Sequence, residues 1–267
     1  MSSTITKIFI GALATLGAVH ALPQQQYATS TKAAVASATP VAPPAVADNS
    51  ALIKDLRGTS SANKRFQRLL TVDGEGKKLL EGEDLKKRVV FDFNNAVAVG
   101  KGGATKAANI ETFPILTDLG ISTTLGFLNA CGMNTPHVHP RATEFLTLTS
   151  GSLKFGYITE NGLLPAGTPS EVTGSLSKYQ GTVFPIGSIH YQFNPECEPA
   201  VFVASLNSED PGTSQIAQNF FGLNADVVNA TIGFPKSVDG KDIATFRKQI
   251  PANVALAIDA CVKKCKL

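Results

Sequence analysis

Two imidazoles and a carboxylate crowd into the run PHVHPRATEFLTLTSG, which holds His137, His139 and Glu144. A third imidazole, His190, follows in GTVFPIGSIHYQFN. The chain has only four histidines, and the remaining one, His20, lies in an apolar N-terminal stretch. Neutral imidazoles with one carboxylate suit a divalent transition metal, and a four-donor set leaves open positions for water, a substrate or dioxygen. A lone buried histidine is usually a hydrogen-bonded core residue. Three of them gathered into two short motifs favour a metal.

The elements needed to bring these groups together can be read locally. On a strand, residues i and i+2 share a face, so His137 and His139 look the same way. Pro140 cannot donate to a ladder and ends or edges a strand. PRAT then reads as a turn and Glu144 opens the next strand, which returns the carboxylate beside the two rings. Ser150-Gly151-Ser152 closes that strand. Downstream, Pro185 and Gly187 supply a bend, after which His190, Gln192 and Asn194 alternate on one strand face.

From Val89 onward, short apolar runs such as VVFDF, ISTTLGFL, EFLTLT, LKFGYI and AVFVASL are separated by Gly, Pro, Asn and Asp. Their lengths and spacing predict an all-β sandwich or barrel. No amphipathic helices intervene, which argues against a parallel sheet. Residues 50–88 read as a partly helical extension, with Leu52, Ile53, Leu56, Phe66, Leu69 and Leu70 as apolar anchors. Lys86-Lys87-Arg88 reads as a solvated basic turn, with a processing site as the alternative. After Asn224 the pattern turns helical, and Val254, Ile258, Cys261, Val262 and Cys265 fall on one stripe.

The ends and the composition narrow the class. Lys7, the apolar run Ile8 to Val19 and the small residues before Ala21 predict a secretory signal over residues 1–21. Residues 22–49 form a Gln/Ala/Thr/Ser/Pro-rich linker or pro-segment. A formal net charge of +3, with no basic stripe, excludes a nucleic-acid partner, and no later run is long enough for a membrane span. An extracellular route allows four cysteines to form two disulfides. Asn229-Ala230-Thr231 is an N-glycosylation sequon.

The run from Cys131 through His137, His139 and Glu144 to Gly151, followed by Gly181, Pro185, Gly187, His190 and Asn194, resembles the cupin superfamily. Within it, PHVHPRATE, IHYQFN and SLNSEDPG are similar to secreted germin and spherulin-like proteins. The resemblance covers about 89–229. It implies a double-stranded β-helix (cupin jelly roll) and a homo-oligomer, while the helical pattern after Asn224 makes 230–267 a C-terminal helical segment. It also implies an Mn(2+) cofactor held by His137, His139, Glu144 and His190. Intrinsic affinity alone leaves Fe, Zn or Cu open, and Zn or Cu would bind such a nitrogen-rich site more tightly.

Three departures accompany the likeness. The interval Gly181 to Pro185 is two residues shorter than the family's usual one, which preserves strand parity for His190. Cys131 stands where the first motif often has glycine. Of two pocket asparagines in oxalate-oxidising germins, one aligns with Asn134, which makes it the catalytic candidate, and the other falls on Thr124. Two functional classes follow. One is a manganese oxidoreductase acting on a small carboxylate or superoxide; the other is a non-catalytic stress, encystment or wall-associated protein that binds metal or a small ligand. A jelly roll also sets the two motif strands side by side and antiparallel. His137 opposite His190 then puts Cys131 nearly opposite Cys197, which predicts a Cys131–Cys197 bridge and leaves Cys261 and Cys265 open.

Overall fold

The computed structural model describes residues 48–98, 100–165, 168–231, 255–256 and 259–267. Alternating burial runs along its strands, as the pattern of short apolar runs predicts. In β9 (Ala200–Leu206), Ala200, Phe202, Ala204 and Leu206 face inward. In β4 (Glu144–Ser150), the inward row is Glu144, Leu146 and Leu148. These strands join β1 (Gly103–Ala108), β2 (Ser122–Leu128) and β7 (Gly181–Phe184) in one antiparallel sheet of order β1-β2-β9-β4-β7. The second sheet, also antiparallel, has β3 (Gly132–Val138), β5 (Ser152–Ile158), β6 (Val172–Ser177), β8 (Ile189–Phe193) and β10 (Ser214–Gln215), in order β10-β3-β8-β5-β6. This is the jelly roll.

Leu128, Leu146, Leu148, Leu153, Leu176, Phe184, Phe202 and Leu206 fill the space between the sheets, with Phe155 and Tyr157 packed against them. Each fully buried Leu or Phe contributes about 1.5–3 kcal/mol relative to exposure. Two glycines make the packing possible. A Cβ on Gly126 would run into the Phe202 ring, and Gly151, at φ 83°, turns β4 back into β5 against the backbone of Ala200.

Ahead of the barrel lie α1 (Ser50–Arg57), α2 (Ala62–Leu70) and α3 (Gly82–Val89). Ser61 caps α2 by accepting the Lys64 amide at 3.2 Å. Leu56 and Leu69 are buried, and Asp118 accepts Arg65 at 2.8 Å, tying this extension to the loop before β2. Lys86, Lys87 and Arg88 form the last turn of α3 rather than a free turn, where positive charge suits the helix's negative end.

Beyond β10 come α4 (Ile216–Phe220), α5 (Ala225–Thr231), a short β11 (Ala255–Leu256) and α6 (Asp259–Cys265). The expected stripe of helix from Val254 is therefore interrupted. Ala255 and Leu256 are extended and pair with Met133 and Gly132 of β3, where an open sheet edge offers backbone partners. Val254 and Ile258 lie outside the described residues.

The cysteine pairing differs from the one expected. Cys131 bonds Cys261 and Cys197 bonds Cys265, with Cα separations of 5.8 and 5.4 Å. The register argument for Cys131 and Cys197 is correct as far as proximity goes: the Cys131 amide donates to Glu196 O at 3.2 Å and Asn194 N to Gly132 O at 2.8 Å. However, α6 carries two cysteines one turn apart on a single face, and each takes one barrel partner. Lys264 adds an ion pair to Glu196 at 2.8 Å. Cys131 itself adopts φ 56°, the left-handed region that favours glycine, at the motif position where relatives often have glycine.

Candidate metal centre

Local backbone features explain how the site is built. β3 carries His137 at its end, and its pairing with β8 shifts register between Asn134 and His137, beside Pro136, which has no N–H to pair. This bulge lets Asn134 and His137, three residues apart, both be buried. The turn after His139 delivers Glu144 to the head of the inward row of β4. On β8, His190 lies directly opposite His137 and shares its buried face with Gln192. The bend before it is held by Ser188, whose N and Oγ both donate to Pro185 O. Asn194 continues the same face, but it is a fastening: its Nδ2 donates to Asn129 O at 2.9 Å and Glu198 O at 2.7 Å.

The ring nitrogens decide what this cluster can do. His137 Nδ1 lies 2.8 Å from Thr135 O, His139 Nδ1 2.6 Å from Gly212 O, and His190 Nδ1 2.9 Å from Ser188 O. A carbonyl only accepts, so all three rings carry a proton on Nδ1 and turn Nε2 inward. This is the orientation that metal-ligating histidines take. His190 Nε2 is buried without a hydrogen-bond partner and sits 3.5 Å from Glu144 Oε2. His139 Nε2 lies 3.0 Å from the same oxygen. One donor atom from each of His137, His139, Glu144 and His190 falls within 4.8 Å of the others, and such a set can hold a metal ion. Phe184 stacks on His190, centroids 4.4 Å apart, and fixes the ring's plane.

The electrostatics match that reading. Burial pushes the Glu144 carboxyl up, but the adjoining His139 and His190 rings outweigh it and hold the group at about 2. Burial and the neighbouring His190 depress His137 to about 3, so it is a neutral imidazole at any ordinary pH. Burial also pulls His139 down, yet the hydrogen bond and charge of Glu144 win and raise it. A buried carboxylate is thus kept ionised, with His137 neutral and His139 more basic beside it.

A cavity of ≈ 120 Å³ opens on the cluster. Its walls include Thr105, Thr124, Asn134, Phe202, Thr213 and Gln215. Asn134 donates Nδ2 to Gln192 Oε1 at 2.9 Å, and its Oδ1 is left buried without a partner. Thr213 and Gln215 are contributed by a segment that sequence reasoning passed over. A wider cleft of ≈ 910 Å³ lies between α1, α2 and the loop around Gly74. Arg68 pairs with Asp55 there at 2.7 Å, and among the described residues no set of metal-ligating side chains converges there. The sulfurs of Cys131, Cys261 and Cys265 also lie close together, but all are in disulfides and offer no thiolate.

With that geometry in place, the comparisons are decisive for the family. The Cupin family model matches residues 92–237, more than half of the chain. The chain belongs to the cupin family. Within it the similarity is to spherulins and germin-like proteins. Spherulin-1B of Physarum polycephalum is 37% identical over 87% of this chain and 86% of its own length. Spherulin-1A of the same organism is 41% identical over 66% of this chain and 69% of its own. Germin-like protein 12-2 of Oryza sativa subsp. japonica is 37% identical over 57% of this chain and 66% of its own. Among solved structures, procruciferin, an 11S globulin of Brassica napus, shares the fold at a TM-score of 0.53, with 17% identity over 62% of this chain and 41% of its own. A recombinant oxalate oxidase in complex with glycolate aligns at a TM-score of 0.49, with 26% identity over 55% of this chain and 72% of its own. The paired cysteines fit an oxidising compartment.

Proposed function

We propose that this cupin is a secreted manganese-binding protein whose metal is held by His137, His139, Glu144 and His190, and which takes a small carboxylate on that metal. The observation that carries the reading is the set of three Nδ1–H···O=C bonds, which leave three Nε2 atoms facing one ionised, buried carboxylate. A bound manganese would supply one-electron chemistry and a cationic seat for an anion. The chain's own residues do the rest. Glu144 and the imidazoles hold the ion, Phe202 and Ala204 keep the cavity dry on one side, and Asn134 stands as the candidate catalytic amide. Residues 1–21 act as the secretory leader, and a homo-oligomer is the expected assembly.

Two activities fit a site of this composition: oxidation of oxalate by dioxygen to carbon dioxide and hydrogen peroxide, or dismutation of superoxide. Binding without turnover is the second reading. It is favoured by the Asn134 amide, one of whose two N–H hydrogens is taken by Gln192, and by Thr124, a hydroxyl where oxalate-oxidising germins have an amide. Elemental analysis of protein secreted by its own host, followed by hydrogen peroxide release from oxalate at mildly acidic pH, tests both. Manganese near one equivalent with weak peroxide release is the expected result. Stoichiometric zinc or copper, or no metal at all, would overturn the manganese reading.

A further inference from the structure

The cavity lacks a cationic side chain, so an anion on the metal needs a neutral donor for its outer oxygen. Asn134 commits one of its two Nδ2 hydrogens to Gln192. Gln215 is differently placed. It sits on β10, opposite His137 in the ladder with β3, and lines the cavity. Its Oε1 accepts the Thr135 hydroxyl at 2.9 Å. Because an amide is planar, with O and N on opposite sides of the carbon, anchoring Oε1 to Thr135 turns Nε2 away from that anchor. No described residue takes the Nε2 hydrogens.

The segment carrying Gln215 is itself fastened to the metal-binding turn. Asn207 Oδ1 accepts the Thr143 amide at 2.8 Å. Arg141 donates Nε to Asp210 O at 2.8 Å and Nη2 to Asp210 Oδ1 at 2.7 Å, while its amide donates to Pro211 O at 3.1 Å. Gly212 O then holds His139 Nδ1 at 2.6 Å, and Gln215 follows three residues later. The strap that sets one ligand's tautomer thus also sets this amide at the cavity wall.

We infer that Gln215 is the residue that recognises the metal-bound ligand, donating Nε2–H to the free oxygen of a small carboxylate such as a two-carbon diacid. This rests on the metal and small-carboxylate reading above and assigns its recognition to Gln215 rather than to Asn134.

The test is titration of manganese-loaded full-length protein with oxalate, and separately with formate, followed by the manganese paramagnetic resonance spectrum, with metal content measured on every variant. A hydrogen bond to a charged group is worth about 1.5–3 kcal/mol, so Gln215→Ala should weaken oxalate binding about ten- to a hundredfold. Gln215→Glu should weaken it further, by setting one anion against another. Both variants should keep wild-type metal content, and Asn134→Ala should change oxalate affinity less than Gln215→Ala. Unchanged oxalate affinity in Gln215→Ala would overturn the inference, as would loss of metal from that variant, which would make Gln215 a prop of the metal site. A wild-type spectrum that responds to neither acid would instead sink the small-carboxylate reading, and this role with it.

Discussion

The two ends of β3 are built on opposite principles. At the Cys131 end the polar groups are satisfied: Asn194 has two carbonyl acceptors, β11 pairs with Gly132 and Met133, and two disulfides bind α6. At the His137 end, Asn134 Oδ1, Gln192 Nε2 and His190 Nε2 are buried without partners. An unsatisfied buried polar atom costs about 1–3 kcal/mol. Among the described residues, the Cys131 end is fastened by protein hydrogen bonds and disulfides, while three buried polar atoms toward the His137 end have no protein partner.

If the two ends are independent, breaking the covalent end should cost stability and leave metal binding alone. Removing both crosslinks with Cys261→Ser and Cys265→Ser should lower stability by about 4 kcal/mol or more, since loops of this length lie at the upper end of the disulfide range. Denaturant titration measures that loss, and metal content should stay at the wild-type level. Metal lost in proportion to stability would show that the clamp holds the site as well.

A smaller effect should appear with pH in the metal-free protein. The folded pKa of Glu144 is depressed to about 2 from 4.5, so its contribution is fully present above about 4.5 and is lost as pH falls through the folded value. His139 is raised above 6.5, so its contribution is present below that value and lost as pH rises through the raised one. Thermal melts should therefore decline on both sides of this window, and Glu144→Gln should flatten both limbs. In Cys261→Ser/Cys265→Ser the limbs should persist, because they belong to the other end of the strand.

The smallest change sharpens the comparison inside the cavity. Thr124→Asn replaces one hydroxyl by an amide, and one added charge-assisted hydrogen bond, about 1.5 kcal/mol, should raise whatever oxalate oxidation the wild type shows roughly tenfold. Peroxide release measures it. Robust wild-type turnover that this substitution leaves unchanged would favour Asn134 as a sufficient catalytic amide.

What could be read from the sequence follows from how far each feature depends on distant chain. The strands were legible because apolar alternation is local, and the convergence of His137, His139 and Glu144 because HxH on a strand, a Pro-led turn and a glutamate at the next strand's head form one continuous device. Asn134 needed more. Its odd spacing from His137 points it outward on a regular strand, and only the bulge beside Pro136 reverses that. The cysteine pairing was not legible, because register could place Cys131 near Cys197 but could not foresee α6 seating between them. Gln215 gave no signal at all. A two-residue strand has no periodicity, and its partner His137 lies far back in the chain.

The central claim is that His137, His139, Glu144 and His190 hold one metal ion between them. Elemental analysis of purified His190→Ala, alongside wild type purified identically, tests it most directly, because the Nε2 of His190 is buried with no hydrogen-bond partner in the protein. The account predicts close to one equivalent of metal in the wild type and essentially none in the variant, with both proteins folded by circular dichroism. Undiminished metal in folded His190→Ala would contradict it.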